Sequence, residues 1–69
     1  MPAEIKEYSV FILKKDLNSV IKAGMKGTVL LVYDGNNFEV EFVKNDGTNY
    51  EFNDHATFTI QREYIEVVE

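Results

Sequence analysis

The chain should fold as an all-β domain, a small barrel of about five bent antiparallel strands with short helical turns at most. Three observations point there. Lys26 to Phe52 (KGTVLLVYDGNNFEVEFVKNDGTNYEF) reads as three consecutive antiparallel strands joined by two Gly-containing turns. The one stretch with helical spacing, Leu17 to Gly24 (LNSVIKAG), is cut short by Gly24 and Gly27. At 69 residues with no cysteine, every strand must contribute to a single core without help from disulfides. Closing the sheet would also remove exposed strand edges.

Residues 1–7 show no usable period and are expected to be a loose lead-in to one domain spanning residues 1–69. Tyr8 to Leu13 (YSVFIL) is rich in β-branched and aromatic residues and predicts the first strand. Both of its sides are apolar, so both should meet protein. Lys14-Lys15-Asp16 ends it. Leu17 to Gly24 reads as a loop with at most one helical turn. Leu17, Val20 and Ile21 would plug one end of the core, and Asn18 or Ser19 would cap the turn. A recognition loop is the alternative reading of this segment.

The second strand is expected over Gly27 to Tyr33, the third over Phe38 to Lys44 and the fourth over Thr48 to Phe52. The turn Lys44-Asn45-Asp46-Gly47-Thr48 selects a register by burial. A three-residue loop with Gly47 left-handed pairs Phe42 with Tyr50 and Val40 with Phe52, which segregates the faces. A two-residue loop would mix apolar and charged groups on each face. For the first turn, Asp34-Gly35-Asn36-Asn37, an even-length loop is consistent: Tyr33 opposite Phe38, Leu31 opposite Val40, Val29 opposite Phe42. The inner face would then hold Val29, Leu31, Tyr33, Phe38, Val40, Phe42, Tyr50 and Phe52, each large side chain contributing about 1.5–3 kcal/mol on burial. Thr28, Leu30, Val32, Glu39, Glu41, Val43 and Glu51 would face outward.

Asn53-Asp54-His55-Ala56 breaks the alternation. Thr57 to Ile60 resumes it, either as a continuation of the fourth strand past a bulge or as a separate short strand. Gln61-Arg62-Glu63 suits a single tight helical turn, and Tyr64 to Val68 predicts the last strand.

The formal net charge is −5 and the seven basic residues are scattered. That counts against a phosphate-binding surface, which needs clustered Lys and Arg, so nucleic acid is not the expected partner. No basic-then-apolar leader follows Met1, and no apolar run approaches the roughly 20 residues that span a bilayer. With no cysteine, a cytoplasmic protein is expected. No catalytic set is legible: His55 lies beside Asp54, but neither a cysteine nor a suitably placed serine accompanies it. Carboxylates suit Ca²⁺ or Mg²⁺, yet no spaced loop of ligands is present, and neither metal nor cofactor is assigned. Glu41 opposite Glu51 would be a like-charged pair, unfavourable in a sheet. It is explained by a solvated face or by a surface for a basic partner. Leu30, Val32, Glu39, Glu41, Val43 and Glu51 are therefore the candidate protein-binding residues, an acidic face with apolar residues beside it. Tyr8, Tyr33, Tyr50 and Tyr64 could line an aromatic peptide groove, although Tyr33 and Tyr50 are expected in the core with their hydroxyls at its rim.

Val10 to Leu17 (VFILKKDL), Gly24 to Tyr33 (GMKGTVLLVY), Phe38 to Phe42 (FEVEF), the Asp46-Gly47 turn and the closing Thr-Phe-Thr-Ile-x-x-x-Tyr-Ile pair resemble a bacterial family of small stand-alone proteins known only as a domain of unknown function. The resemblance runs from about Val10 to Val67. The chain departs from that pattern at Ala23-Gly24, where Lys-Gly is more usual, and in a more polar insert over residues 53–56. The resemblance implies an SH3-like barrel and brings no reaction or cofactor. Gly24-Met25-Lys26-Gly27-Thr28-Val29 is also distantly similar to translation-associated SH3-like domains. There the Gly-x-x-Gly-x-Val motif mostly encodes turn geometry, through positive φ or close backbone approach. The expectation is a non-enzymatic interaction module, monomeric or weakly dimeric, that binds a basic protein partner. The alternatives are a nucleic-acid or ribosome-associated domain and an immunity or antitoxin-type inhibitor.

Overall fold

The two turns and the alternation between them organise the molecule as expected, but one bulge changes which residues face inward. The computed structural model describes residues 4–68. Its five strands are β1 (Val10–Leu13), β2 (Lys26–Val32), β3 (Asn37–Phe42), β4 (Thr57–Gln61) and β5 (Ile65–Val67), with a 3-10 turn at Arg62–Tyr64 before β5. All pairings are antiparallel and form one sheet in the order β4-β3-β2-β1-β5. The class is the all-β class expected, consistent with a barrel-like fold. Closure is not: β4 and β5 remain the two edges of the hydrogen-bonded sheet. The chain is nonetheless packed tightly, with a Cα radius of gyration of 11.1 Å against about 11 Å for a compact chain of this length.

The core is built by alternation. Phe38, Val40 and Phe42 of β3 are fully buried, as are Phe11 of β1, Val29 of β2 and Ile60 of β4. Leu13, Ile21 and Ile65 complete its ends. Phe11 meets Phe42 edge to face at 5.7 Å between ring centroids, and Phe42 meets Phe58 at 6.0 Å. Edge-to-face packing suits the ring quadrupoles.

The Asn45-Asp46-Gly47 loop has the predicted form. The Lys44 N–H donates to the Thr48 carbonyl at 2.7 Å, Gly47 has φ +90°, and the Tyr50 N–H donates to the Phe42 carbonyl at 2.8 Å. Beyond it the expected fourth strand does not form. Residues 48–52 form no ladder with β3 and carry one isolated bridge to the chain just past its end, Val43 to Asn49. The strand that pairs with β3 along its length is Thr57–Gln61, so Phe58, not Phe52, lies opposite Val40, and Glu41 faces Thr57, not Glu51.

The first turn is three residues long, not even. The Tyr33 N–H donates to the Asn37 carbonyl at 3.0 Å, while the Asp34 carboxylate accepts the Asn36 and Asn37 N–H groups. Val32 therefore pairs with Phe38, and a bulge between Val29 and Leu31 absorbs the extra residue. A bulge reverses the in-out sense of the strand beyond it. Val29 and Val32 consequently pack on the core, whereas Leu31 and Tyr33, expected inside, are 42% and 54% exposed.

The β1–β2 loop contains no helix. Asn18 Oδ1 accepts the N–H groups of Val20 and Ile21, both at 2.8 Å, and turns Ile21 into the core. Leu17 packs beside it, while Val20, expected to plug the core, is exposed. The lead-in is not wholly loose: residues 1–3 lie outside the described residues, but Ile5 is buried in the core and the Lys6 N–H donates to Ser9 Oγ at 3.0 Å.

Candidate functional site

With Phe38, Val40 and Phe42 turned inward, Glu39 and Glu41 must point out from β3. Each lies in a row across three strands: Leu31, Glu39 and Thr59 in one, Thr28, Glu41 and Thr57 in the next. Tyr33, flipped outward by the bulge, brings its hydroxyl to Glu39 and donates to Oε1 at 3.0 Å. The Thr59 hydroxyl donates to the same oxygen at 2.7 Å. Partial burial pushes the Glu39 pKa upward, but hydrogen bonds from Thr57, Thr59 and Tyr33, with the charge of His55 nearby, outweigh it and leave the carboxyl below its ordinary value. The same bond acts in reverse on Tyr33, whose hydroxyl is raised above its ordinary value because it donates to Glu39. Glu41 accepts a hydrogen bond from Asn49 Nδ2 at 3.2 Å.

Beside Glu39 the surface falls into an open depression of about 380 Å³, walled by Phe52, Phe58, Thr57, Thr59, His55 and Leu17. Its rim is a tight turn. The Phe52 and His55 backbones exchange hydrogen bonds at 3.0 Å in both directions, and Asn53 and Asp54 between them have φ +52° and +66°. Two consecutive positive φ values are the mark of a type I′ hairpin turn, for which Asn and Asp are among the tolerated residues. This turn holds His55 and Phe52 against the β4 edge of the depression.

Among the described residues no three His, Cys, Asp or Glu side chains gather to hold a metal ion. The ion pairs among them are Lys15–Glu63 at 3.1 Å and Lys22–Asp16 at 3.5 Å. Both anchor the β1–β2 loop, and neither reaches Glu39 or Glu41. An ionised carboxylate held by hydroxyls, next to aromatic walls and without an ion pair among the described residues, is suited to binding a positive group.

The candidate binding residues are only partly brought together. Glu39 and Glu41 are neighbours on β3 and half-buried, Val43 and Glu51 are exposed near the Gly47 turn, and Leu30 sits half-buried in the bulge. Val32 is the correction: it packs on the core and cannot belong to an outer face. Leu31 and Tyr33 stand there instead. The four tyrosines form no common groove: among the described residues the paired rings are Phe11–Phe42 and Phe42–Phe58. Tyr64 and Tyr50 each lie under a lysine, Lys15 and Lys44 respectively, at 5.4 Å. Sequence reasoning missed Tyr33, Thr57 and Thr59 around Glu39. The Thr-Phe-Thr alternation was the available signal, since pairing that segment with β3 puts both threonines beside the glutamates.

No helix among the described residues is long and apolar enough to cross a membrane. No curated protein and no solved structure matches the chain. A family model, described as Domain of unknown function (DUF4926), matches residues 7–67. That match spans all five strands, both glutamates of β3 and the wall of the depression, and the chain belongs to this family of unknown function.

Proposed function

We propose that the protein is a non-enzymatic, SH3-like interaction module that docks a basic surface of a protein partner on the outer face of β2, β3 and β4. The observation that carries this reading is the state of Glu39. Hydroxyl donors, with the charge of His55 nearby, favour its ionised form beside exposed Leu31 and Tyr33, and among the described residues no ion pair reaches it. A charge left without an internal partner next to exposed apolar area is a common composition for a partner-binding patch. The net charge of −5 adds long-range attraction for a basic partner.

The Gly24-x-x-Gly27-x-Val29 motif lends little to the nucleic-acid alternative. Gly24 has φ +95°, and Gly27 lies against the Phe11 ring, so both glycines answer to backbone geometry. The test is affinity capture from the source cell with the native chain and with a Glu39→Lys/Glu41→Lys variant. A protein partner that is lost in the variant and released by salt supports the reading. Recovery of nucleic acid alone, or a partner that the variant retains, overturns it.

A further inference from the structure

We propose that the depression beside Glu39 receives one lysine side chain of the partner, with its ammonium on Glu39 and its methylene stem between Phe52 and Phe58. This rests on the acidic-face reading above and specifies the group that face takes. The volume, about 380 Å³, is at the small end of ligand pockets and suits one long side chain.

The hydrogen-bond geometry distinguishes lysine from arginine. Tyr33 and Thr59 both donate to Oε1 of Glu39, at 3.0 and 2.7 Å. That oxygen's two lone pairs are then occupied, while Oε2 accepts from neither Tyr33 nor Thr59. A guanidinium fork needs both carboxylate oxygens to bind in its bidentate form. A compact ammonium needs only one, and Oε2 supplies it. Phe52 and Phe58 line the depression and offer apolar surface to the four-carbon stem.

Four of the chain's seven Lys and Arg side chains are engaged elsewhere, and among the described residues no ion pair reaches Glu39. Lys15 and Lys22 are in ion pairs, Lys44 lies over Tyr50, and Arg62 covers Phe38 while donating to the Gly35 carbonyl at 2.8 Å. A lone carboxylate is too few ligands for a hard metal ion. His55, on the wall of the depression, acts on Glu39 through its charge without forming an ion pair with it, and the group we place on Glu39 is an organic cation from outside.

The test follows backbone amide shifts of isotope-labelled protein on titration with Nα-acetyl-lysine methylamide, its arginine counterpart and its Nε-acetylated form. The expected result is saturable shifts at Phe52, Thr57 and Thr59 with the lysine probe, weaker shifts with arginine and none with the neutral form. Glu39→Gln, which keeps an acceptor for Tyr33 and Thr59, should weaken lysine binding by roughly tenfold with an otherwise unchanged amide spectrum. Arginine binding as tightly as lysine, equal shifts in Glu39→Gln, or no shift at about 50 mM probe overturns the proposal. Shifts confined to Glu41, Val43 and Glu51 would overturn the lysine site while leaving the acidic-face reading standing.

Discussion

Phe11 and Gly27 are directly opposed across β1 and β2, and a Cβ built on Gly27 would stand 2.7 Å from Phe11 Cζ and 2.9 Å from the Glu41 carbonyl oxygen. The ring occupies the space that any other residue's side chain would need. One contact is backbone and the other is the centre of a packed core, so neither can yield cheaply. Gly27→Ala should therefore destabilise by about 1–3 kcal/mol, the usual cost of overpacking. Gly35 has ordinary backbone geometry and open space around it, so Gly35→Ala should change stability by less than about 0.5 kcal/mol. Urea unfolding of the two variants checks both expectations. Equal midpoints would mean that Phe11 does not lie over Gly27.

The bulge at Leu30 makes a prediction that separates the observed face of β2 from the one alternation suggests. Val32 packs on the core and Leu31 is exposed. Val32→Ala should cost about 1–2 kcal/mol and Leu31→Ala less than about 0.5 kcal/mol. The opposite ranking would restore the even-length turn. The same geometry changes what a charge at this place tests. Val32→Lys would damage the core, so the variant that asks whether the outer face forms a dimer is Leu31→Lys, read by light scattering.

These two strands show where the sequence was legible. In β3 each inward apolar residue is separated by a glutamate or an asparagine, so the burial of Phe38, Val40 and Phe42 could be read directly, and the Gly47 loop followed from it. In β2, Val29 to Tyr33 is apolar throughout, so a one-residue insertion leaves no mark in the pattern. Glu39 was legible as an outward acid, but its partners were not. Tyr33 reaches it only because of the bulge, and Thr59 only because the polar Asn53-Asp54 turn returns the chain to pair with β3. The expected Glu41–Glu51 repulsion disappears for the same reason, since Glu41 sits between Thr28 and Thr57.

Two positive-φ positions carry side chains that do not need to be there. Asp54 has φ +66° at the second central residue of its turn, and Tyr8 has φ +68° while 74% exposed. Bulky residues reach this region only at a cost, and glycine relieves it in a type I′ turn. Asp54→Gly should raise stability by about 0.5–1 kcal/mol, and Tyr8→Asn by a similar amount, because little buried surface is lost at either site. Thermal unfolding checks both. A lower Tm for Tyr8→Asn would show that the tyrosine ring contributes contacts exceeding the backbone strain.

Four carboxylates make the fold acid-sensitive in a defined direction. Asp34 is held below its ordinary value of 3.8 first by the Asn36 N–H, Asp46 first by the Thr48 hydroxyl, and Asp16 first by the Ala23 N–H. Glu39 ends below its ordinary 4.5 although burial opposes it, because its hydroxyl donors prevail. A carboxylate whose folded pKa lies below its unfolded one binds fewer protons folded than unfolded. Its contribution is complete above the ordinary values, begins to fall as the pH drops through 4.5 and 3.8, and is gone below the folded values. Tm should therefore be flat between about pH 6 and 7 and fall below about pH 4. In Asp16→Asn/Asp34→Asn/Asp46→Asn the neutral-pH Tm should be lower and the acid slope shallower, since three of the groups that release protons on folding are gone. An acid slope as steep as that of the native chain would mean that the turn carboxylates are not the source. The remaining slope should then shrink again on adding Glu39→Gln, which links the acid response of the fold to the same carboxylate that the outer face presents.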